Sequence, residues 1–462
     1  MLSTTQNRRS LMVLVVFLLA ACAPNAITNP PTQVDTNLIR TQAAMTALAQ
    51  LTQTDLPTET PAPTPTLPPP PITTPLPFLK LEGLRVAYII DGNLYVQDSG
   101  GEPVKLTTSE MDTKPRFADD GTKLIFERGH HNKNKDFYVI NADGSQEQKL
   151  APSNQLTPLG FEYNNDTLAG SVVFVPGTHQ LLFQTFQPDS SPNGSLVSPQ
   201  LHANHDLILW DLDSGKIKQV LPPSKASYFQ PSPDGKLIWV LSENYLDVIR
   251  LDGSLVRRLK DLPSFLPDIF FVKPSIYWAT NSQKLSFLLP AVEGINPLPE
   301  KQIIWQFSLD TGSLLKTPLS LFPLISDFSL SPDGNWAVYN TCCYSETSTL
   351  LPYKMYVENL QTGALQPIKI GQSGGMPRDW SPDNIHFIIE SAFDGMYLAD
   401  IYGNVSELNL GRFIGWIDKT HYLNGRALMV DVSENKIVSL VDLPTGATFS
   451  GHDHFTFILN PK

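Results

Sequence analysis

The side chains best able to do chemistry in this chain stand in long segments between apolar, alternating runs. They are aromatic, histidine and acidic residues, and such groups together suit a polar ligand such as a glycan or a peptide. We assign these residues as candidate binding-loop residues, not as catalytic ones: His130, His131, Phe161, Tyr163, His202, His205, Asp206, Glu293 and Tyr344.

Three short motifs resemble catalytic or metal sites, and none is accepted. Gly371–Gly375 matches the nucleophile-elbow string, but that elbow needs a helix behind it and we predict a strand at 376–380. His202 and His205 stand three apart, yet Pro and Asn surround them and no Glu lies between, so we predict a solvated loop pair. Asp211–Gly215 resembles the start of a calcium loop whose later ligands are missing. We therefore predict no metal and no cofactor.

Cysteine use is sparse. Beyond Cys22 the chain has only Cys342 and Cys343, which are adjacent and cannot join distant segments. They form either a vicinal disulfide or two free thiols, and the sequence leaves this open. Burial, not disulfide bonding, must hold the fold together.

The first 21 residues have the features of an export signal. Arg8 and Arg9 precede an apolar run at 11–19, and small residues lead to Cys22. This Leu-Ala-Ala-Cys ending resembles the lipobox of bacterial lipoproteins. The resemblance implies that Cys22 is lipidated and becomes the mature N-terminus. We expect an exported protein anchored by lipid to the extracytoplasmic face of the cell membrane or envelope, with an ordinary secretory signal as the alternative.

Charge limits the partners of the chain. There are 33 Lys and Arg against 45 Asp and Glu, a net charge of −12, and removing the signal takes away two more cations. An acidic chain repels phosphate backbones, which argues against a nucleic-acid partner.

Residues 22–80 differ in composition from the rest and are predicted to be a flexible linker. The part at 34–53 is rich in Ala, Thr and Gln and suits a short helix or a coiled-coil stub. The part at 57–77 is rich in Pro and Thr, so it favours a disordered, extended polyproline II stalk that reaches roughly 60 Å. A proline-motif ligand for a partner domain is the alternative interpretation.

From residue 81 to 462 the chain repeats a two-turn unit. Ser232–Gly235 returns as Ser331–Gly334, with weaker copies at Ala118–Gly121 and Ser381–Asn384. We count eight units of about 46 residues, each with four short strands, which is typical of a propeller blade.

These units resemble the WD40-like (PD40) repeats of the TolB-type β-propeller family, most clearly at 116–150, 232–259 and 331–365. The resemblance implies an all-β chain with a single propeller that works as a binding module. Units three, five and eight depart from the turn pattern at 175–177, 281–283 and 417–419, so seven blades are the alternative to eight.

The two ends of the repeat region predict how the ring closes. The first unit has three strands, and one spare strand at 454–459 follows the last unit. A closed ring leaves no exposed edge strand. We therefore predict that the C-terminal strand completes the first blade; the alternative is that it finishes the last one.

Strand direction also predicts where the long segments lie. Connections from second to third strands, and from one blade to the next, must share one face of the disc. The long segments are all of these two kinds, and insertions on one face of a repeat scaffold often mark its binding face. We expect a binding or docking module for a protein or glycan on this face. The alternatives are insertions without a role, and a lyase-like or glycosidase-like enzyme site in the central funnel.

Overall fold

The computed structural model describes residues 83–129, 135–150, 152–157, 167–188, 201–242, 245–259, 275–288, 302–320, 325–341, 354–370, 375–391, 395–408, 413–424, 428–432, 436–439 and 455–459. All of them belong to the second of two compact units of the chain, Thr74–Lys462.

The described chain forms eight antiparallel sheets that are the blades of one propeller ring. The first four blades hold the following strands: blade 1, β1 (Leu84–Ile90), β2 (Asn93–Asp98) and β3 (Val104–Lys105); blade 2, β4 (Asp112–Phe117), β5 (Lys123–Arg128), β6 (Asp136–Asn141) and β7 (Gln148–Lys149); blade 3, β8 (Leu168–Phe174), β9 (Gln180–Pro188), β10 (Leu201–Ala203), β11 (Leu207–Asp211) and β12 (Ile217–Leu221); blade 4, β13 (Tyr228–Pro231), β14 (Leu237–Ser242), β15 (Tyr245–Arg250) and β16 (Leu255–Leu259).

The second half of the ring has the same plan. Its strands are: blade 5, β17 (Ser275–Trp278), β18 (Lys284–Leu288), β19 (Ile303–Ser308) and β20 (Leu314–Pro318); blade 6, β21 (Ile325–Leu330), β22 (Trp336–Thr341), β23 (Lys354–Asn359) and β24 (Leu365–Ile368); blade 7, β25 (Met376–Trp380), β26 (His386–Ser391), β27 (Gly395–Asp400) and β28 (Val405–Glu407); blade 8, β29 (Phe413–Trp416), β30 (His421–Asn424), β31 (Leu428–Asp431) and β32 (Lys436–Ser439); and β33 (Phe455–Leu459).

Strand β33 closes the ring, as the sequence predicted. It pairs antiparallel with β1, from Leu84 opposite Leu459 to Tyr88 opposite Phe455. The first sheet is therefore ordered β3-β2-β1-β33, which puts the C-terminal strand in the innermost position of blade 1. The last residues of the fold thus belong to the same sheet as the first, and the alternative of a strand added to blade 8 is wrong.

Eight blades are confirmed, and seven are excluded, because the units with unusual turns are complete. Blade 5 turns through Ser282, whose φ is +59°, where other blades use glycine at the same point. Blade 7 does the same with Asn384 at +64°. Asn is among the residues that tolerate this left-handed conformation, whereas a serine there is uncommon. The turn survives these changes of residue, so a missing glycine did not mean a missing blade.

Apolar side chains that alternate along the strands pack between neighbouring blades. Between blades 4 and 5, for example, Trp239, Val248, Phe287 and Trp305 lie in one buried cluster, and the Phe287 and Trp305 rings stack 6.1 Å apart. Similar clusters lie between other pairs of blades. Burial of apolar area at each such contact supplies the main favourable free energy of a repeat fold.

Two elements interrupt the connections. A short helix α1 (Pro152–Leu156) follows blade 2, and its Leu156 is fully buried in the core between blades 2 and 3. Strand β10 pairs with the end of β9, so the described part of the second-to-third connection of blade 3 extends the sheet to five strands. Among the described residues, no helix has the length and apolar character needed to span a membrane.

Candidate functional site

The ring has two rims that differ in their connections. We call the rim that carries first-to-second and third-to-fourth turns the tight-turn rim. The opposite rim carries second-to-third and blade-to-blade connections, and we call it the insertion rim. Seven connections have both ends on the insertion rim and contain longer ranges outside the described residues. These ranges are 130–134, 158–166, 189–200, 260–274, 289–301, 342–353 and 440–454.

The tight-turn rim is a series of compact turns, and the first-to-second turns of blades 4 and 6 repeat one set of hydrogen bonds. In blade 4 the buried Ser232 hydroxyl donates to Asp234 at 2.6 Å and accepts from the Leu237 backbone N–H at 2.9 Å. Ser331 in blade 6 repeats both contacts with Asp333 and Trp336. The repeated Ser-Pro-Asp-Gly string is therefore explained by turn geometry, and it carries no chemistry of its own.

Hydrogen bonds also join the turns of neighbouring blades on this rim. The Gly177 N–H donates to Asp119 of blade 2 at 2.6 Å, and the Asp234 N–H donates to Ser282 of blade 5 at 3.0 Å. The Asp333 N–H donates to Asn384 of blade 7 at 2.9 Å. The turns that end the first strands thus hold the blades to one another.

A cavity of about 490 Å³ lies in the funnel on the insertion side of blades 2 to 4. Its walls come from the innermost strands β4, β8 and β13, whose first residues lie at the insertion rim. The described lining residues are Lys114, Arg116, Glu127, Phe137, Ser171, Val172, Val173, Gln184, Ser227, Tyr228 and Phe229.

Backbone bulges shape this cavity. The ladder between β4 and β5 shifts register between Thr113 and Arg116, and Lys114 has a φ of +52°. The ladder between β8 and β9 shifts in the same way, with Ser171 at +51°. A bulge bends its strand and redirects the side chains beside it. Because two neighbouring inner strands bulge at similar heights, we attribute the space between them to these bulges.

Among the described residues at this cavity, cations outnumber anions, although the chain is acidic. Glu127 is shared by Lys114, with an Nζ to Oε1 distance of 3.3 Å, and by Lys135, at 3.6 Å from Oε2. Arg116 lies nearby and feels the charge of Glu127 without a hydrogen bond to it. Burial lowers the pKa of the Arg116 guanidinium, while the charge of Glu127 opposes this shift. Three cations and one anion leave an excess of positive charge at this place.

Arg116 differs from four other described arginines, each of which forms an ion pair with a carboxylate. Arg85, Arg128 and Arg258 each form a close ion pair with an aspartate, at 2.6 Å. Arg378, on the inner strand of blade 7, lies 2.9 Å from Glu390. Within the part of the chain that the structure describes, Arg116 has no hydrogen-bond acceptor although it is half-buried.

A second cavity, of about 380 Å³, lies on the tight-turn rim between blades 2 and 3. His179 stands at its centre, with Nε2 at 2.8 Å from Asp120 and Nδ1 at 2.8 Å from Asp213. Asp211, also in the lining, accepts hydrogen bonds from Gln180 and from the turn backbone at Asp213 and Ser214. These polar groups bind one another, and His179 joins the turns of blades 2 and 3 through Asp120 and Asp213.

Most of the predicted binding residues lie outside the described residues. These are His130, His131, Phe161, Tyr163, Glu293 and Tyr344, together with Cys22, Cys342 and Cys343. His202 is placed on β10, opposite Gln187 of β9, so its backbone belongs to a strand and not to the solvated loop that we expected. That the predicted binding residues share one face therefore stays a prediction.

His205 and Asp206 are described, and both lie at the insertion rim. The Asp206 carboxylate is fully buried and accepts from the backbone N–H and the hydroxyl of Thr185, at 2.8 and 2.7 Å. The carbonyl of His205 accepts from the backbone N–H groups of Lys225 and Ala226. These contacts give Asp206 a place inside blade 3, because a buried carboxylate must be hydrogen-bonded.

The structure describes residues of two of the rejected motifs. Met376–Trp380, after the Gly-x-Ser-x-Gly string, is strand β25 as predicted, so the helix required by a nucleophile elbow is replaced by a strand. Asp211–Gly215 is a turn in which Asp211 binds the backbone. In the described ranges, no group of three or more His, Cys, Asp and Glu residues is arranged to hold a metal ion.

Sequence reasoning missed Lys114, Arg116 and Glu127. Arg116 stood only at the start of a repeat unit, and its neighbours Lys114 and Pro115 are unusual in an inner strand. Proline cannot donate to a ladder and marks an edge or a bulge. Lys114 and Arg116 flank a proline in a strand predicted to line the funnel, and this pattern could have indicated the cavity.

Comparison with known proteins adds no functional identity. No protein-family model matches the chain, and no curated protein matches it. Solved structures with a similar arrangement include the tricorn protease (TM-score 0.37, 12% identity, 78% of this chain and 44% of that one), the hydrazine synthase of Kuenenia stuttgartiensis (0.42, 12%, 72% and 95%) and oligogalacturonate lyase in complex with manganese (0.41, 15%, 67% and 82%). This chain thus spans less than half of the tricorn chain. The sheet order itself identifies the chain as an eight-bladed β-propeller protein.

Proposed function

We propose that this protein is a bacterial lipoprotein whose TolB-type, WD40-like propeller binds a protein or glycan partner outside the cytoplasm. Lipid on Cys22 anchors it to the cell membrane or envelope, residues 22–80 act as a spacer, and the insertion rim binds the partner. One observation carries the proposal, namely that both ends of each long connection lie on this single rim.

The contrast in connection length supports this assignment. On the tight-turn rim, β4 ends at Phe117 and β5 begins at Lys123, and every other described turn on that rim is similarly short. On the insertion rim, β9 ends at Pro188 and β11 begins at Leu207. Long connections in compact domains are uncommon unless they are functional or disordered, and their gathering on one face favours function.

The point where the chain enters the propeller also supports it. Strand β1 begins at Leu84 on the tight-turn rim, where the Leu84 carbonyl accepts from the Ser99 N–H at 2.8 Å. Arg85 reaches the Gly121 carbonyl in the first turn of blade 2, at 2.9 Å. A tether attached at Leu84 therefore joins the rim that lacks the long connections. Anchoring and partner binding would not compete for the same surface.

An affinity capture from detergent-solubilised native membranes tests the binding rim. The bait is the full chain, compared with a variant in which 130–134 and 189–200 are each replaced by a short Gly-Ser link. We expect the variant to lose specific partners. The control bait carries Lys236→Ala on the tight-turn rim, where the side chain is largely exposed, and should keep them. Recovery of the same partners in equal amounts with all three baits would contradict the proposal.

A separate experiment tests the anchor. Cells that express the chain or its Cys22→Ser variant are fed an alkyne-labelled fatty acid, and the purified protein is examined for label and mass. We expect label only on the wild-type chain, and release of the variant from the membrane fraction. Label that persists in the variant, or its absence from both proteins, would show that Cys22 is not the lipidation site.

The enzyme alternative has no comparable observation behind it. Glycosidases generally use a pair of carboxylic acids placed across the scissile bond. Among the described residues of the funnel cavity, Glu127 is the one carboxylate, and two lysines already pair with it. We therefore propose binding, not catalysis, as the role of this face.

A further inference from the structure

The funnel cavity on the insertion side combines three properties of an anion site. It is concave, with about 490 Å³ of space, it lies where Lys114, Lys135 and Arg116 outnumber Glu127, and part of its wall is apolar. Concave sites of this size with a few polar groups are typical of small-ligand binding. Low-dielectric walls also strengthen the attraction between a bound anion and a cation.

Among the described charged residues that line this cavity, Arg116 has neither an ion-pair nor a hydrogen-bond partner. Lys114 and Lys135 are neutralised in part by Glu127, whereas Arg116 is half-buried and has no acceptor among the described residues. A half-buried cation without an acceptor is unfavourable, because it has lost part of its hydration. An arginine fork binds a carboxylate through two parallel N–H···O bonds, which is the pairing that Arg258 makes with Asp247.

The remaining wall indicates what accompanies the negative group. Phe137, Val172 and Phe229 are apolar and line the same space. The amide of Gln184, a polar member of the lining, already donates to the Ala226 carbonyl. A sugar acid would set many hydroxyl groups against the apolar wall, whereas the last residue of a peptide carries its carboxylate and an apolar side chain on the same carbon.

We propose that this cavity binds the C-terminal carboxylate of a peptide or protein segment, with Arg116 as the carboxylate partner and the apolar wall as the seat of the last side chain. This inference rests on the proposed function, and it specifies the chemistry of the ligand on the insertion rim. Lys114 and Lys135 supply the surrounding positive charge that attracts the anion.

Ligand-observed NMR with the full chain in detergent micelles tests this proposal. The probes are acetyl-Gly-Leu and acetyl-Gly-Phe with free C-terminal carboxylates, the same dipeptides as C-terminal amides, glucuronate and inorganic phosphate. We expect the free acids to bind about tenfold or more tightly than the amides, because the charge-assisted pair is lost in the amide. Glucuronate and phosphate should bind more weakly than the free acids.

Two arginine variants supply the matched comparison. Arg116→Gln should remove the preference for acid over amide, and Arg116→Lys should keep part of it because the charge remains without the fork. Arg378→Gln, at an arginine of another inner strand that is already paired with Glu390, should keep the full preference. Thermal unfolding of each variant identifies any protein that fails to fold. If Arg116→Gln fails to fold, the acid preference of Arg116→Lys is compared with that of the wild-type chain.

Several results would overturn the inference. They are equal binding of acids and amides by the wild-type chain, no detectable binding of the acids, an acid preference that survives Arg116→Gln, and binding of glucuronate or phosphate alone. The last result would show an anion site of another class. If capture by the insertion rim succeeds while the acids fail, the proposed function stands and the Arg116 site does not. If the acids bind through Arg116 but the variant without 130–134 and 189–200 captures the same partners, the Arg116 site stands and the proposed function does not.

Discussion

The two rims of this propeller are built from the same strands but use their connections differently. On the tight-turn rim, turns with serine, aspartate and glycine satisfy their own backbone and bind the turns of the next blade. On the insertion rim, the long connections begin and end, and a half-buried arginine lacks an acceptor among the described residues. One rim holds the ring together, and we propose that the other binds a partner.

This difference shows how a repeat fold separates stability from function. Blades 2 to 8 each turn twice on the tight-turn rim, and hydrogen bonds join several neighbouring turns there, so changes on this rim should be costly. The long connections of the insertion rim join strands that are already paired in the sheet. Changes on the tight-turn rim are therefore expected to lower the free energy of unfolding, whereas changes on the insertion rim are expected to alter binding.

The largest effect should come from opening the ring, on which both rims depend. Truncation after residue 454 removes β33, its pairing with β1 and the buried Phe455. Loss of a single buried phenylalanine side chain costs about 3–5 kcal/mol, so the loss of the strand should abolish cooperative unfolding. Calorimetry of the truncated chain tests this expectation. Truncation after Leu459 is the control and should unfold as the wild-type chain does; a truncated chain with normal unfolding would mean that closure is dispensable.

A glycine pair on the tight-turn rim should give the next largest effect. Gly235 and Gly215 have nearly the same φ, +67° and +69°, but a Cβ on Gly235 would lie 2.2 Å from the Pro176 carbonyl oxygen of blade 3. A Cβ on Gly215 would meet nothing within 4 Å. Gly215→Ala should cost about 1 kcal/mol from backbone strain alone, and Gly235→Ala about 3 kcal/mol.

Denaturant unfolding of the two variants measures that difference. Binding by the insertion rim should be unchanged in either variant while it is folded. Equal costs for the two substitutions would show that contact between the turns of blades 3 and 4 adds nothing to the stability of the ring.

The smallest effect should be a pH dependence from the contact of His179 with Asp120. Partial burial opposes ionisation of Asp120, but hydrogen bonds from Thr122 and His179 outweigh it and hold the pKa of Asp120 below its ordinary 3.8. A lowered folded-state pKa gives stability that is present above 3.8 and is lost as the pH falls through the folded-state value. Asp120→Asn should therefore lower stability at neutral pH, with a difference that shrinks below about pH 4.

Unfolding curves of the wild-type chain and the Asp120→Asn variant, measured between neutral pH and pH 3, check this sign. Asp213→Asn removes the more exposed partner of His179 and should change stability less. A difference between wild type and Asp120→Asn that grows on acidification would contradict the stated role of Asp120.

The fold could be predicted from the sequence because turns repeat and strands alternate. Ser232–Gly235 and its copies fixed the blade period, and the three-strand first unit predicted closure by β33. The funnel cavity could not be predicted in the same way. It depends on the bulges at Lys114 and Ser171, which set where inner-strand side chains point, and on three blades that meet in space.

Contacts between strands that are distant in sequence also explain why Asp206, a predicted binding residue, is buried inside blade 3. Asp206 has the chemistry of a binding residue, but its neighbour in space is Thr185, which lies on a different strand and whose backbone N–H needs an acceptor. Sequence distance does not reveal such a partner. Residue type indicated what Asp206 can do, whereas the sheet register decided what it does.

Site-specific photo-cross-linking in native envelopes compares the two rims most directly. A benzophenone amino acid is placed at exposed positions on the insertion rim (Met111 and Lys225) or on the tight-turn rim (Lys236 and Thr362) of the full chain. Because the partner binds the insertion rim in our account, irradiation should give discrete adducts of the same partner from Met111 and Lys225, and far fewer from Lys236 and Thr362. Adducts mainly from the tight-turn rim, or with equal yield from both rims, would contradict the claim that binding resides on the insertion rim.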